Sequence, residues 1–169
     1  MSTKKIAYLG MLVALAFVFS YVETLIPIHL GVPGAKLGLA NLVIMVALYT
    51  IGGKQAFLLS MVRIILVGFT FSNVASMLYS LAGGILSFFI MALAKKSNRL
   101  SITGVSVLGG IFHNIGQIVV AILVLETASL IYYLPVLLIT GVVAGIVIGL
   151  LGAMVIKRIG RGDGMMEHS

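Results

Sequence analysis

His29-Leu30-Gly31-Val32-Pro33-Gly34-Ala35-Lys36-Leu37-Gly38-Leu39-Ala40-Asn41 sets a polar, glycine-broken segment between two apolar runs. Pro33 fixes its own φ and Gly34 accepts a positive one, so Val32 to Ala35 reads as a tight type II turn joining two helices. Lys36 falls in the first turn of the second apolar run and Asn41 one and a half turns further in. In lipid such groups need protein, water or a ligand opposite them. The segment is therefore a candidate for chemistry as well as the place where the chain reverses.

The surrounding composition sets the medium. Hydrophobic residues make up 61% of the 169 and charged residues 9%, with a mean hydropathy of +1.24. A soluble globule of this length has no means of hiding so much apolar surface, and the chain reads as an all-α integral membrane protein embedded in a lipid bilayer. The net charge of +7 is not a nucleic-acid signature, because the basic residues cluster in short groups at the ends of apolar runs, where a topology signal belongs. With no cysteine there is no disulfide, thiol nucleophile or thiolate metal site. His29 and His113 lack ligand-like spacing, so no metal is expected. Lys4-Lys5 and the apolar run after them resemble a signal peptide, but Ser20-Tyr21-Val22-Glu23 is a poor cleavage site, and the run is read as a retained first span.

Six apolar runs follow in order: Ile6 to Pro27, Leu37 to Ile51, Ala56 to Phe71, Val74 to Ala94, Ile102 to Leu125 and Ile131 to Ile156. At about 20 residues per crossing they predict six transmembrane helices, the second and third short. Gly52-Gly53-Lys54 and Phe71-Ser72-Asn73 are compact enough only for hairpin turns between adjacent helices. Residues 1–159 form one transmembrane domain, and the glycine-containing tail 160–169 reads as flexible. With both termini cytoplasmic, Lys4, Lys5, Lys54, Lys95, Lys96, Arg99, Lys157, Arg158 and Arg161 all lie inside, leaving Lys36 outside and Arg63 within a span, as the positive-inside rule requires. The His29 to Asn41 segment, the Ser72-Asn73 turn and the Glu126 to Ser129 connection then share the outer face.

Small residues mark helix contacts. Gly141, Gly145, Gly149 and Ala153 recur every fourth residue and are expected to pack within the fold. Gly10 and Ala14 form a similar pair in the first span, for which internal packing is the plain explanation and partner docking the alternative.

Catalysis finds little support. The only Gly-Lys pair, Gly53-Lys54, is followed by Gln55 and has Leu48 where a P-loop glycine belongs, so the chain holds no ATP-binding loop of its own. Glu23, Glu126, Asp163 and Glu167 never cluster, which leaves neither paired carboxylates nor an acidic motif for magnesium and a diphosphate. Binding is better supported. Arg63 sits near mid-span, at a cost of at least ~2.5 kcal/mol, and needs either Glu23 or a ligand as partner. Gly109, His113 and Gln117, with Gly110 and Asn114 beside them, give the fifth helix a small, polar stripe that either satisfies itself or lines a cavity. Asn73, Ser76 and Tyr79 open the fourth helix with a polar edge at three-residue spacing. Tyr132 and Tyr133, after Glu126, serve as interfacial anchors or as a stacking surface. The candidate binding set is Lys36, Asn41, Arg63, Asn73, Tyr79, His113, Asn114, Gln117 and Glu126, with no catalytic residue and no covalent cofactor.

The stretch Pro33-Gly34-Ala35-Lys36-Leu37-Gly38-Leu39-Ala40-Asn41-Leu42-Val43, the six-span layout and Gly52-Gly53-Lys54 together resemble the Gx transporter family, whose members are also described as heptaprenyl diphosphate synthase component I. That family is similar in turn to the substrate-binding S components of energy-coupling-factor (ECF) importers. The S-component resemblance implies a subunit that captures a small cofactor or precursor outside the cell, while an ECF T subunit and an ATPase pair use ATP to drive its reorientation. Docking onto the T subunit would use an Ala-x-x-x-Ala pattern in the first helix, where this chain has Gly10-Met11-Leu12-Val13-Ala14. The synthase description implies a non-catalytic partner of a prenyl diphosphate synthase. A third implication is a membrane subunit for flavin- or quinone-linked electron transfer, for which the sequence offers no redox centre.

Overall fold

The computed structural model describes residues 3–25 and 38–166; Lys36 and the Pro33-Gly34 turn lie outside the described residues. The helices are α1 (Thr3–Leu25), α2 (Leu39–Thr50), α3 (Gly53–Phe71), α4 (Val74–Lys96), α5 (Ile102–Leu125) and α6 (Leu134–Met166), the last preceded by a 3-10 helix at Ala128–Tyr133. No strand occurs among the described residues. The helical backbone of α6 continues beyond residue 160 to Met166.

Five of these helices are long and apolar enough to cross a membrane, as in a multi-pass membrane protein. The second of the six helices is apolar but shorter than the other five. Its 12 residues reach ~18 Å at the α-helical rise, well short of a ~30 Å hydrocarbon core. It is apolar on most sides because most of its residues are buried at the centre of the bundle. Val43, Ile44, Met45, Ala47 and Leu48 pack with Leu12 and Ala16 of α1, Ala56 and Leu59 of α3, Phe88 and Met91 of α4, and Val105 of α5.

Such a helix has unpaired N–H groups at its start and C=O groups at its end that need partners. Charged side chains from neighbouring helices supply the partners. At the N-terminus, where Gly38 turns with φ +80°, the Glu23 carboxylate of α1 accepts a hydrogen bond from the Leu39 N–H at 2.6 Å. At the C-terminus, Lys95 of α4 donates to the Leu48 carbonyl at 2.6 Å and lies 4.7 Å from the centre of the Tyr49 ring. The negative group at the start and the positive group at the end both match the helix dipole. Gly52, with φ +97°, then turns the chain into α3. Asn73 caps α4 by accepting from the Ser76 N–H at 2.8 Å, so both expected hairpin turns are present.

Glycine governs the other half of the bundle. A Cβ on Gly110 of α5 would come within 2.3 Å of the Gly141 carbonyl oxygen, and one on Gly145 within 2.6 Å of the Val107 Cα. The stripe on α6 therefore packs inside the fold, against α5. The opposite side of α5 is as close to α4: a Cβ on Gly116 would meet the Ala82 carbonyl oxygen and the Gly83 Cα, each at 2.9 Å. In α1 the small pair behaves differently. Gly10 and Ala14 are exposed and a Cβ on Gly10 would have nothing within 4 Å, so they are not an internal packing seam.

These contacts set a sharp contrast for one extra methyl group. Gly110→Ala forces backbone away from backbone and should destabilise the fold by about 1–3 kcal/mol. Gly10→Ala enters open space and should be neutral or slightly stabilising, since alanine is the better helix former. Thermal unfolding of both variants in detergent reads the difference.

Candidate functional site

A cavity of about 50 Å³ lies in the half of the bundle away from Lys54, Lys95 and Arg99. Five helices reach it. Glu23 comes from α1, Asn41 from α2, Arg63 from α3, Ser76 and Ser80 from α4, and His113, Asn114 and Gln117 from α5. Gly38, Asn41, His113 and Asn114 also border a second cavity of about 40 Å³ that extends toward Gly141 and Gly145 of α6.

Arg63 is the electrostatic centre. Its Nη1 donates to the Ser20 hydroxyl at 3.4 Å, and Ser20 in turn donates to the Ala16 carbonyl at 2.9 Å. Glu23 and His113 are both close enough to interact with the guanidinium electrostatically. The buried Arg63 Nε has no hydrogen-bond partner among the described residues. Glu23 therefore faces two ways, toward Arg63 and toward the first backbone N–H of α2, so internal pairing and cavity lining are not exclusive.

The polar stripe of α5 is held in place by its neighbours. His113 hydrogen-bonds the Gly83 backbone of α4. Asn114 Nδ2 donates to the Leu137 carbonyl of α6, which also accepts from the Thr140 hydroxyl at 3.0 Å. Gln117 is buried, its Cγ beside Gly83, where a Cβ would be 2.8 Å away. Glycine at position 83 is what lets both side chains lie flat against α4.

Of the residues predicted from sequence, Asn41, Arg63, His113, Asn114 and Gln117 come together here. Asn73 is an exposed helix cap, and Tyr79 is buried but borders neither cavity. Glu126 is exposed, ending α5 in the left-handed region at φ +50°. Ser72 and Ser80 line the cavity but were not expected there. Their signal was a four-residue spacing, Ser72-Ser76-Ser80, one helical face away from the Asn73-Ser76-Tyr79 edge; both include Ser76, and spacing alone does not say which face turns inward. Among the described residues no group of three potential metal ligands occurs. The arrangement offers a guanidinium, amides, hydroxyls and an imidazole for charge-assisted hydrogen bonds to an anionic group, with the Glu23 carboxylate beside them as an internal counter-charge to Arg63.

The family model for heptaprenyl diphosphate synthase component I matches residues 12–155. The chain belongs to that family. Comparison with curated proteins and with solved structures gave no match. The family's matched region contains all the cavity residues named above, and its description as one component of a synthase implies a partner subunit.

The dual role of Glu23 makes a testable stability pattern. Glu23→Gln strips Arg63 of its carboxylate and weakens the cap on α2, and should destabilise by about 3 kcal/mol. Arg63→Gln leaves Glu23 on the helix N-terminus and should cost less. The double variant should be more stable than the two single losses added together, with a coupling of roughly 0.5–3 kcal/mol, measured as a thermal double-mutant cycle.

Proposed function

We propose that this protein is a solute-binding membrane subunit of the ECF S-component type, which holds a small anionic molecule in the Arg63 cavity and depends on other chains for energy. The observation that carries this reading is a buried guanidinium with an unpartnered Nε, on a residue that lines a cavity to which five helices contribute polar groups. Asn41, Arg63, His113, Asn114 and Gln117 are its binding residues. Lys36, from the adjoining segment, is a further candidate.

The positive-inside argument supports cytoplasmic termini in a cell membrane, with the cavity in the outer half. The absence of a P-loop in the sequence fits a division of labour in which an ECF ATPase pair uses ATP and a T subunit carries the coupling. Gly10 and Ala14, exposed on one face of α1 with Ile6 and Val18, offer that T subunit a surface for close helix approach. A cavity of about 50 Å³ is far below the ~300–1,000 Å³ of typical ligand pockets. On this reading the described conformation is the closed one, and the solute enters as helices part.

The family description supports a second reading, a non-catalytic membrane partner of a prenyl diphosphate synthase. Copurification separates the two: an ATPase module supports the first, a soluble prenyl diphosphate synthase subunit the second.

Native mass spectrometry of the purified protein should reveal a bound small anion. Arg63→Gln should weaken its binding by about one to two orders of magnitude, the worth of a charge-assisted hydrogen bond. Unchanged affinity in folded Arg63→Gln and His113→Ala would dismiss the cavity as the site.

Docking has its own outcome. Gly10→Leu and Ala14→Leu should leave solute binding and folding intact while abolishing transport and association with the ATPase module. Retained association in both variants would remove α1 as the docking helix.

A further inference from the structure

A groove of about 770 Å³ lies between α1, α2 and α6, and Arg63 is not among its lining residues. Leu12, Leu15 and Phe19 of α1, Leu42 and Val46 of α2, and Val155 of α6 form its walls. It arises because α1 rests on α2 and α3 while α6 rests on α2 and α5, so the short α2 is the floor between two long helices. One end is not apolar. There Lys5, Thr50 and Ile51 are shared with an adjoining pocket of about 120 Å³ that also takes in Gln55. The Thr50 hydroxyl is turned to its own helix, donating to the Val46 carbonyl at 2.8 Å, which leaves the Lys5 ammonium and the Gln55 amide as the polar groups for a ligand.

An apolar trough closed by a cation and a neutral amide fits an amphiphile with one long chain in the trough and an anionic head at the lysine. We propose that this groove seats an anionic phospholipid of the leaflet at the basic end of the bundle, an acyl chain lying between α1 and α6 and the phosphodiester at Lys5. Three observations choose this occupant. The volume lies within the ~300–1,000 Å³ range of specific small-molecule sites, and a trough between helices in a bilayer is filled by lipid chain in preference to a void, which would forfeit contacts along its whole lining. The groove ends at Lys5, Thr50, Ile51 and Ile159, within a few residues along the chain of Lys54, Lys157 and Arg158, and anionic headgroups are drawn to juxtamembrane basic residues. The head site itself offers one exposed lysine and a neutral amide, which balances the single charge of a phosphodiester but leaves most of the charge of a prenyl diphosphate uncompensated. The inference concerns a groove that Arg63 does not line and does not rest on the solute-binding reading.

The test is thermal unfolding of the delipidated full chain in detergent with added phosphatidylglycerol, phosphatidylcholine or farnesyl diphosphate. Phosphatidylglycerol should raise the midpoint saturably, and phosphatidylcholine should do so far less. Lys5→Gln should weaken the phosphatidylglycerol effect about fivefold in concentration, the worth of one juxtamembrane lysine. Leu15→Trp, which fills the trough from an exposed position, should abolish it while leaving the lipid-free midpoint unchanged, with Met11→Trp as the alternative should Leu15→Trp fail to fold. Equal stabilisation by both phospholipids, or an undiminished effect in Lys5→Gln, overturns the proposal. Stabilisation by farnesyl diphosphate in preference to phosphatidylglycerol overturns it in favour of a prenyl ligand. A dimer in detergent that Leu15→Trp dissociates overturns it in favour of a second copy of the chain.

Discussion

A helix too short to span a bilayer, buried at the centre of helices that do, presents a problem that only its neighbours can solve. Its first N–H groups and its last C=O groups have no partners within the helix and must be met by the surrounding chain. Glu23 meets the first and Lys95 one of the last. Each of those charges then imposes its own demand. Glu23 lies near Arg63, whose Nη1 turns to Ser20, and the polar residues of α4 and α5 gather round the guanidinium. The polar cavity is thus continuous with the solution to a folding problem, and its central cation is held by groups that also fix where α2 begins.

Much of this was legible in the sequence because the medium simplifies the pattern. Apolar runs bounded by Gly52-Gly53 and Ser72-Asn73 left little choice of helix ends, and Arg63, His113, Asn114 and Gln117 stood out because polar groups are costly in such runs. The glycine repeat on α6 was readable as packing but not its partner, since Gly110 is neither more nor less conspicuous than Gly104. Three things were hidden. The run from Leu37 looked like a short crossing, because burial among helices and burial in lipid select the same apolar residues. The inward face of α4 was ambiguous between spacings of three and four. Glu23 was legible as a partner for Arg63 but not as the cap of a helix sixteen residues later, a relation that exists only in three dimensions.

Two recesses of opposite character lie in the bundle. The Arg63 cavity is small and polar, built from buried side chains of five helices; its chemistry points to an anion and its volume to a closed state. The groove over α2 is roomy and apolar, ending at a surface lysine, and its chemistry points to the bilayer itself. The description of the family speaks of a synthase component, and neither recess supplies paired carboxylates or a metal cluster among the described residues.

The two ways in which helices touch divide this bundle mechanically. Between α4, α5 and α6 main chain meets main chain at several points, Gly110 with Gly141, Gly145 with Val107 and Gly116 with Ala82 and Gly83. Between α3 and α4 the close approaches are to flexible ends, Met77 against Gly68 and Ile64 against Gly84, which can slide. The result is a stiff slab and a softer flank joined along a fault line, and the cavity lies across it. Arg63, Glu23 and Asn41 ride on the flank; Ser80, His113, Asn114 and Gln117 ride on the slab. On the proposed reading, an anion lodged there would act as a rivet, and its departure would free the flank to shift.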